Sequence, residues 1–439
     1  MNTATLAATA APVMNAITDP RAVAPVDMRH PAFRDNPHQL LRELRESTRV
    51  ARDVLGIWLV LHHEDVNAVL RSSQLSREIW RSPGYGQMRP FLADSTMERT
   101  THQWMVFNDP PKHTRLRRLV GAAFKPGVME ALRERITAVT DELLDALPSS
   151  AGLDGSFDLM TGLAQPLPVR IICDVLGLPH EDFAQTKAWS DALSWIVEPV
   201  VRRDLREAAA RAAEDMVTYL RHHIAQRRGK PARDDVLGLM VAASEAGVDG
   251  EAPLSDDELL GNLILMFIAG HETTTNLIGN GMLTLLRHPA ELMRLRASLG
   301  HDPALMHTAV EEMLRYEGSV TTIARHTVQP HTIGTAEVPA GQLLYCMLGA
   351  AHRDPAAFAD PDRFDIGRSP KGHLAFGAGI HYCLGAPLAR LEAEIAFTRL
   401  LQRYPALELA DATPRWRRLI NLRGLEALPL KGAQGPVPN

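Results

Sequence analysis

Residues 259–270 are apolar except for Asn262, and the stretch ends against His271 and Glu272. It falls short of the roughly 20 residues that a bilayer demands of a spanning helix, so its hydrophobic surface has to be satisfied inside the protein. Helical patterning continues around it over 256–286, which predicts a long buried helix. The same periodicity marks 37–46, 124–147, 204–228, 303–316 and 387–404. Strand-like patterns are shorter: 57–61, next to a helix near 66–71, then 332–338, 343–347 and the stretch 419–430. The expectation is a mainly α protein with a small β region.

No internal repeat is visible, and the Pro/Gly punctuation at 81–111 and 353–387 reads as long ordered loops, not linkers. One large domain over 26–430 is therefore expected, with a disordered leader at 1–25 and a loose tail at 431–439. The leader has no basic residue before Arg21 and no unbroken apolar core, so it does not read as a signal peptide. The 439 residues carry 47 basic against 52 acidic groups, a formal charge of -5, which gives no reason to expect nucleic acid or an anionic membrane as partner. Three cysteines, Cys173, Cys346 and Cys383, are too few and too scattered for a disulfide framework or a zinc site. They fit a reducing compartment, and the cytoplasm is the expected location.

The segment from Phe376 to Arg390 sets Gly377, Gly379 and Gly385 around Cys383, just before a helical run. Such a loop can wrap backbone N–H groups around one sulfur, and with the following helix N-terminus it would favour a thiolate. For an isolated cysteine a buried free thiol is the commoner outcome. Here the whole string resembles the haem-binding signature of the cytochrome P450 family, Phe-Gly-x-Gly-x-His-x-Cys-x-Gly, with every fixed position filled. The resemblance implies the P450 fold, a haem b cofactor, Cys383 as the axial ligand of the haem iron, Phe376 near the sulfur, and His381 on a haem propionate. Thiolate ligation favours O–O cleavage.

Within the buried helix, Ala269-Gly270-His271-Glu272-Thr273-Thr274 is an abrupt polar insertion. Gly270 removes a side chain where a flat cofactor would need close approach, and Thr273 can bond back to the carbonyl four residues earlier. Taken alone, the threonines could satisfy themselves on the backbone and Glu272 could pair with a cation. The hexapeptide also resembles the family's distal-helix motif, which implies that Thr273 positions dioxygen and water while Glu272 relays protons. Ala269 and Gly270 would then lie against the cofactor.

Glu312 and Arg315 share a helix face, and a surface ion pair would explain them cheaply. Their position resembles the family's Glu-x-x-Arg motif, with Arg363 implied as the third member of a fold-holding network. By the same resemblance His113 and Arg117, four apart on one helix face, and Arg325 are implied to clamp the haem propionates. Each could instead be a solvated surface charge.

The matches run in family order over nearly the whole chain. They imply a monooxygenase of the soluble bacterial type that uses O2 and a separate ferredoxin- or flavodoxin-type donor with its reductase, and that works as a monomer. Trp80, Tyr85, Met88, Phe91, Trp195, Ile196, Thr321, Thr322 and Ile420 are candidates for the substrate pocket. The favoured substrate is a bulky, mostly apolar secondary metabolite such as a polyketide or macrolide, hydroxylated or epoxidised, with a terpenoid or fatty acid next. A peroxide-driven peroxygenase would not need the Glu272 and Thr273 pair, and a non-catalytic haem sensor would have no reason to keep it.

Overall fold

The computed structural model describes residues 26–83, 95–121, 124, 126–147, 155–198, 201–231, 233, 235–247, 250–369 and 371–435. Its axis is the helix Asp256–Arg287, buried along almost its whole length. Ser255 caps it by accepting from the Glu258 backbone N–H, and the Glu258 side chain reaches back to the Ser255 N–H. Asp256, Asp257 and Glu258 in the first turn complement the helix dipole. An all-round apolar helix needs partners on every side. Pro166–Leu176, Thr96–Thr101, Ala386–Arg403 and Pro303–Tyr316 all pack on it.

The helix Pro303–Tyr316 falls on its expected bounds, and Pro37–Ser47, Arg203–Arg227 and Ala386–Arg403 lie within a residue or two of theirs. The single helix expected over 124–147 is two, Pro126–Glu130 and Arg133–Ala146. Between them the chain tightens, with the Leu132 N–H bonding the Met129 carbonyl.

The main sheet has five strands in the order Val50–Arg52, Trp58–Val60, Leu343–Met347, Thr322–Thr327, Leu75–Ser76. Trp58–Val60 runs parallel to Leu343–Met347, with Val60 opposite Cys346; the other neighbours are antiparallel. Every residue of Leu343–Met347 is buried, as a central strand covered on both faces should be. Near the C-terminus, Pro429–Lys431 lies between Ser156–Asp158 and Glu408–Leu409. The tail expected to be loose from 431 is tied further along: Lys431 is in that strand, Gln434 donates to the Tyr404 hydroxyl at 3.1 Å, and the Gly435 N–H donates to the Arg403 carbonyl at 2.9 Å. The leader lies outside the described residues.

One buried carboxyl works against this core. Glu392, on Ala386–Arg403, is 1% exposed and neither carboxyl oxygen has a hydrogen-bond partner. Burial holds its pKa well above the ordinary carboxylate range. In the unfolded chain it ionises near about 4.3, so above that pH unfolding releases a proton and stability falls as pH rises toward the folded pKa. Each unit of upward shift costs about 1.4 kcal/mol once the pH exceeds the folded value. Glu392→Gln is therefore expected to raise the melting temperature at pH 8, with the gain shrinking to nothing near pH 4; calorimetric melts at the two pH values check it.

Candidate active site

The loop before Ala386–Arg403 turns on Gly377 and Gly379, whose φ of 71° and 70° lie in the left-handed region. A Cβ on Gly379 would sit 3.2 Å from the backbone of Leu70 and Arg71, so the loop is also pressed against the neighbouring helix. The Cys383 N–H donates to the Phe376 carbonyl at 2.9 Å and closes the turn. Cys383 is exposed by surface area, but the exposed face belongs to an internal cavity and the thiol sits deep in the protein. Burial pushes its pKa up, opposed by the N–H groups of Gly385 and Ala386 and by Arg117 and Arg390. The expected depression by loop and helix is thus outweighed by desolvation in the protein alone; a coordinated cation would remove the proton outright.

The cavity measures about 370 Å³ and lies between this loop and the central helix. Cys383, Phe376, Gly377, Gly385 and His381 form one wall; Ala269, Gly270, Thr273 and Thr274 form the opposite one. A Cβ on Gly385 would meet no protein atom within 4 Å, which leaves the cysteine wall open to a flat group. The Thr273 hydroxyl donates to the Ala269 carbonyl at 3.2 Å, the back-bond expected from sequence, and the Ser319 hydroxyl donates to the Thr273 carbonyl at 2.7 Å. Gly270 lines the cavity and has a second packing contact that the sequence did not suggest. A Cβ there would meet the Ile172 side chain at 2.6 Å, so the glycine also lets the central helix and Pro166–Leu176 approach closely.

At the cavity edge, two arginines and two histidines gather near the carboxylate of Asp109, which accepts from the Arg77 backbone N–H at 2.8 Å. His113, Arg117, His381 and Arg77 all line it. The His113 and His381 rings stand 4.1 Å apart, and His381 Nδ1 is buried without a partner. Burial and then neighbouring Arg77 push the His381 pKa down to about 2, and burial with Arg117 pushes His113 to about 4. Arg77, which sequence reasoning missed, donates to the Ala324 carbonyl at 2.7 Å while its Nε is unpartnered; burial and Arg325 lower its pKa to about 9. Arg325 is 2% exposed but does not line the cavity, because its terminal nitrogens are held by the carbonyls of Ala324 and Leu70 at 2.9 and 3.0 Å. A buried arginine, a half-buried one and two neutral imidazoles that can donate N–H groups make a site suited to an anion. Two carboxylates on a planar ligand, as haem carries, fit them. Nothing in the sequence around Arg77 distinguishes it from a surface arginine.

Glu272 is buried but faces away from Thr273. Adjacent helical residues point about 100° apart, and Glu272 lines a separate outer cavity where Arg417 pairs with it and the Asn276 amide donates at 3.4 Å. Glu312 and Arg315 form a buried bidentate pair at 2.7 and 2.8 Å. Arg315 also donates to the carbonyls of His352, Pro361 and Arg363. The third cation is not Arg363, whose side chain is 64% exposed, but Arg368, whose Nε reaches Glu312 at 3.1 Å.

Of the expected substrate residues, Ile196 and Thr322 line the inner cavity. Trp80 stacks on His102 at 4.6 Å and meets the edge of Phe107, so it backs the wall without facing the cavity. Trp195 lies in the outer cavity with Glu272, and Thr321 and Ile420, hydrogen-bonded to each other, face a third one. Tyr85, Met88 and Phe91 fall outside the described residues. Val106, Leu265, Met266, Val197 and Leu422 line the inner cavity and were not named, since apolar residues read as plain core; Asn421, a polar loop residue, lines it too.

A lone cysteine presented from a glycine loop, a threonine-bearing helix across from it and a rim of arginines and histidines that can donate to carboxylates are the parts of a haem-thiolate oxidoreductase. The chain belongs to the cytochrome P450 family, whose profile matches residues 20–419. It is 41% identical over 383 residues to the cytochrome P450 monooxygenase PikC of Streptomyces venezuelae, covering 86% of this chain and 86% of PikC. It is 36% identical over 416 residues to the polyketide biosynthesis cytochrome P450 PksS of Bacillus subtilis, covering 92% and 98%. The structure of the tirandamycin C-bound P450 monooxygenase TamI superposes with a TM-score of 0.81 at 36% identity, over 93% of this chain and all of that one. The protein is a monooxygenase, and among the described residues no helix is long and apolar enough to cross a membrane.

Proposed function

We propose that the chain binds haem b through Cys383 and inserts one atom of O2 into a bulky, mostly apolar secondary metabolite of the polyketide or macrolide class. The observation that carries this is the shared cavity: Cys383 and Thr273 face each other across it, and Leu265, Met266, Ile196, Val197 and Leu422 give it an apolar lining. PksS and TamI, both similar over most of their length, bear polyketide biosynthesis and tirandamycin C in their names. Electrons would come from a ferredoxin- or flavodoxin-type protein in the cytoplasm. Titration with a panel of macrolactones, fatty acids and terpenoids, read as a low- to high-spin Soret shift, tests the substrate class; tight shifts with fatty acids alone would overturn it.

When bound, the haem iron activates dioxygen with electrons from the partner, and the chemistry of oxygen insertion is the cofactor's. The chain supplies the rest. Cys383 gives its sulfur, and His113, Arg117, His381 and Arg77 meet the propionates. The apolar lining excludes water and orients the substrate. Thr273 holds a hydroxyl proton at Oγ1 on the cavity face, ready to leave its bond to the Ala269 carbonyl. Glu272 carries protons in from the outer cavity, and to do so its carboxylate must part from Arg417.

Thr273→Ala is expected to leave haem content intact and to lower product formed per electron pair by about tenfold or more, with hydrogen peroxide making up the difference. Parallel assays of product and peroxide check this. Unchanged coupling would remove Thr273 from the mechanism.

A further inference from the structure

The outer cavity on the far side of the central helix has a volume of about 720 Å³ and is lined by Gln165, Lys187, Asp191, His271, Glu272 and Arg417 among others. Ligand atoms of Asp191, His271 and Glu272 lie within 4.8 Å of one another, the only such trio among the described residues. His271 is 2% exposed, and its ring is already oriented: Nδ1 bonds the Phe267 carbonyl at 3.0 Å, while Nε2 is buried with no partner. A histidine that donates one ring N–H to a backbone carbonyl presents the lone pair of its other nitrogen, the arrangement typical of metal-bound imidazole. Lys187 occupies Asp191 Oδ2 at 2.5 Å and Arg417 occupies Glu272 Oε1, so each carboxylate keeps a second oxygen.

We propose that Asp191, His271 and Glu272 form a binding site for a divalent transition-metal ion, zinc above all, on the outer face of the central helix. One imidazole and two carboxylates suit Zn2+, with water as fourth ligand. Zinc would require each of the three atoms at about 2.0–2.2 Å from the ion. Lys187 and Arg417 oppose the metal charge, so the ion binds reversibly and is not a structural zinc. Its consequence for turnover rests on the proton path proposed above: a zinc-bound Glu272 cannot carry protons to Thr273.

The test is calorimetric titration of the haem-loaded protein with zinc chloride, in which the iron covers Cys383. Cys173 and Cys346 are buried away from solvent. The expected result is one Zn2+ per chain, with affinity lowered at least about tenfold in both His271→Ala and Asp191→Asn. Asp191 is 43% exposed, so its variant keeps the fold even if His271→Ala does not. No binding, or binding unchanged in both variants, overturns the site. A second readout separates the site from its consequence: zinc should raise peroxide per electron pair in the unaltered protein and not in His271→Ala. Binding without that rise keeps the metal site and rejects Glu272 as the proton carrier.

Discussion

Replacing Cys383 with alanine is expected to abolish the red-shifted carbon monoxide band of the reduced protein and to bring oxygenation to background. The loss should be total because the cavity has no second thiolate to take its place. Of the three cysteines, only Cys383 lines the cavity. Cys346 sits in the middle of the main sheet and Cys173 inside Pro166–Leu176, both with thiol pKa values pushed up to about 12 by burial. The fold should survive, since the sulfur faces the cavity and alanine leaves no unpaired polar group behind. Circular dichroism and the carbon monoxide difference spectrum, recorded on the same preparation, give the answer. A band that stays red-shifted would mean that another atom ligates the iron, and the assignment of this loop would fail.

The order of elements was legible because the helices are long and amphipathic or wholly apolar, so their periods survive any tertiary context. The site was legible where function is local in the chain: Phe376 to Gly385 and Ala269 to Thr274 are each a few residues long, and each forms one wall of the cavity. What stayed hidden depends on contacts between distant segments. The partner of Glu272 is Arg417, 145 residues later. Gly270 faces the Ile172 side chain on another helix, a contact that its neighbours in sequence cannot reveal. Thr322–Thr327 was read for its arginine and not as a strand, because Thr-Ile-Ala-Arg-His-Thr lacks clear alternation and is held by pairing on both sides. Trp195 and Ile196 are adjacent, yet one faces the outer cavity and the other the inner; composition cannot say which face of a short helical turn is which.

The same limit separates Arg363 from Arg368, and here it has a measurable consequence. Glu312 sits 3% exposed between Arg315 and Arg368 and also accepts the Asp365 N–H at 3.0 Å. Glu312→Ala would leave Arg315 buried with its charge unbalanced, a change that costs about 3–5 kcal/mol. Whole-domain stability is about 5–15 kcal/mol, so that cost is a large part of it. The variant is expected to accumulate mainly without haem, or to unfold at a far lower urea concentration than the unaltered protein. Arg368→Ala should fall between the two, since it removes the more exposed cation and leaves the inner pair intact. Arg363→Ala should hardly move the midpoint: its side chain is in solvent, and what the network uses is its carbonyl, which alanine also has. Urea midpoints for the three variants therefore rank Glu312 first, Arg368 second and Arg363 last. If Arg363→Ala proved as damaging as Glu312→Ala, the network would be the one implied by the motif and not the one in the structure.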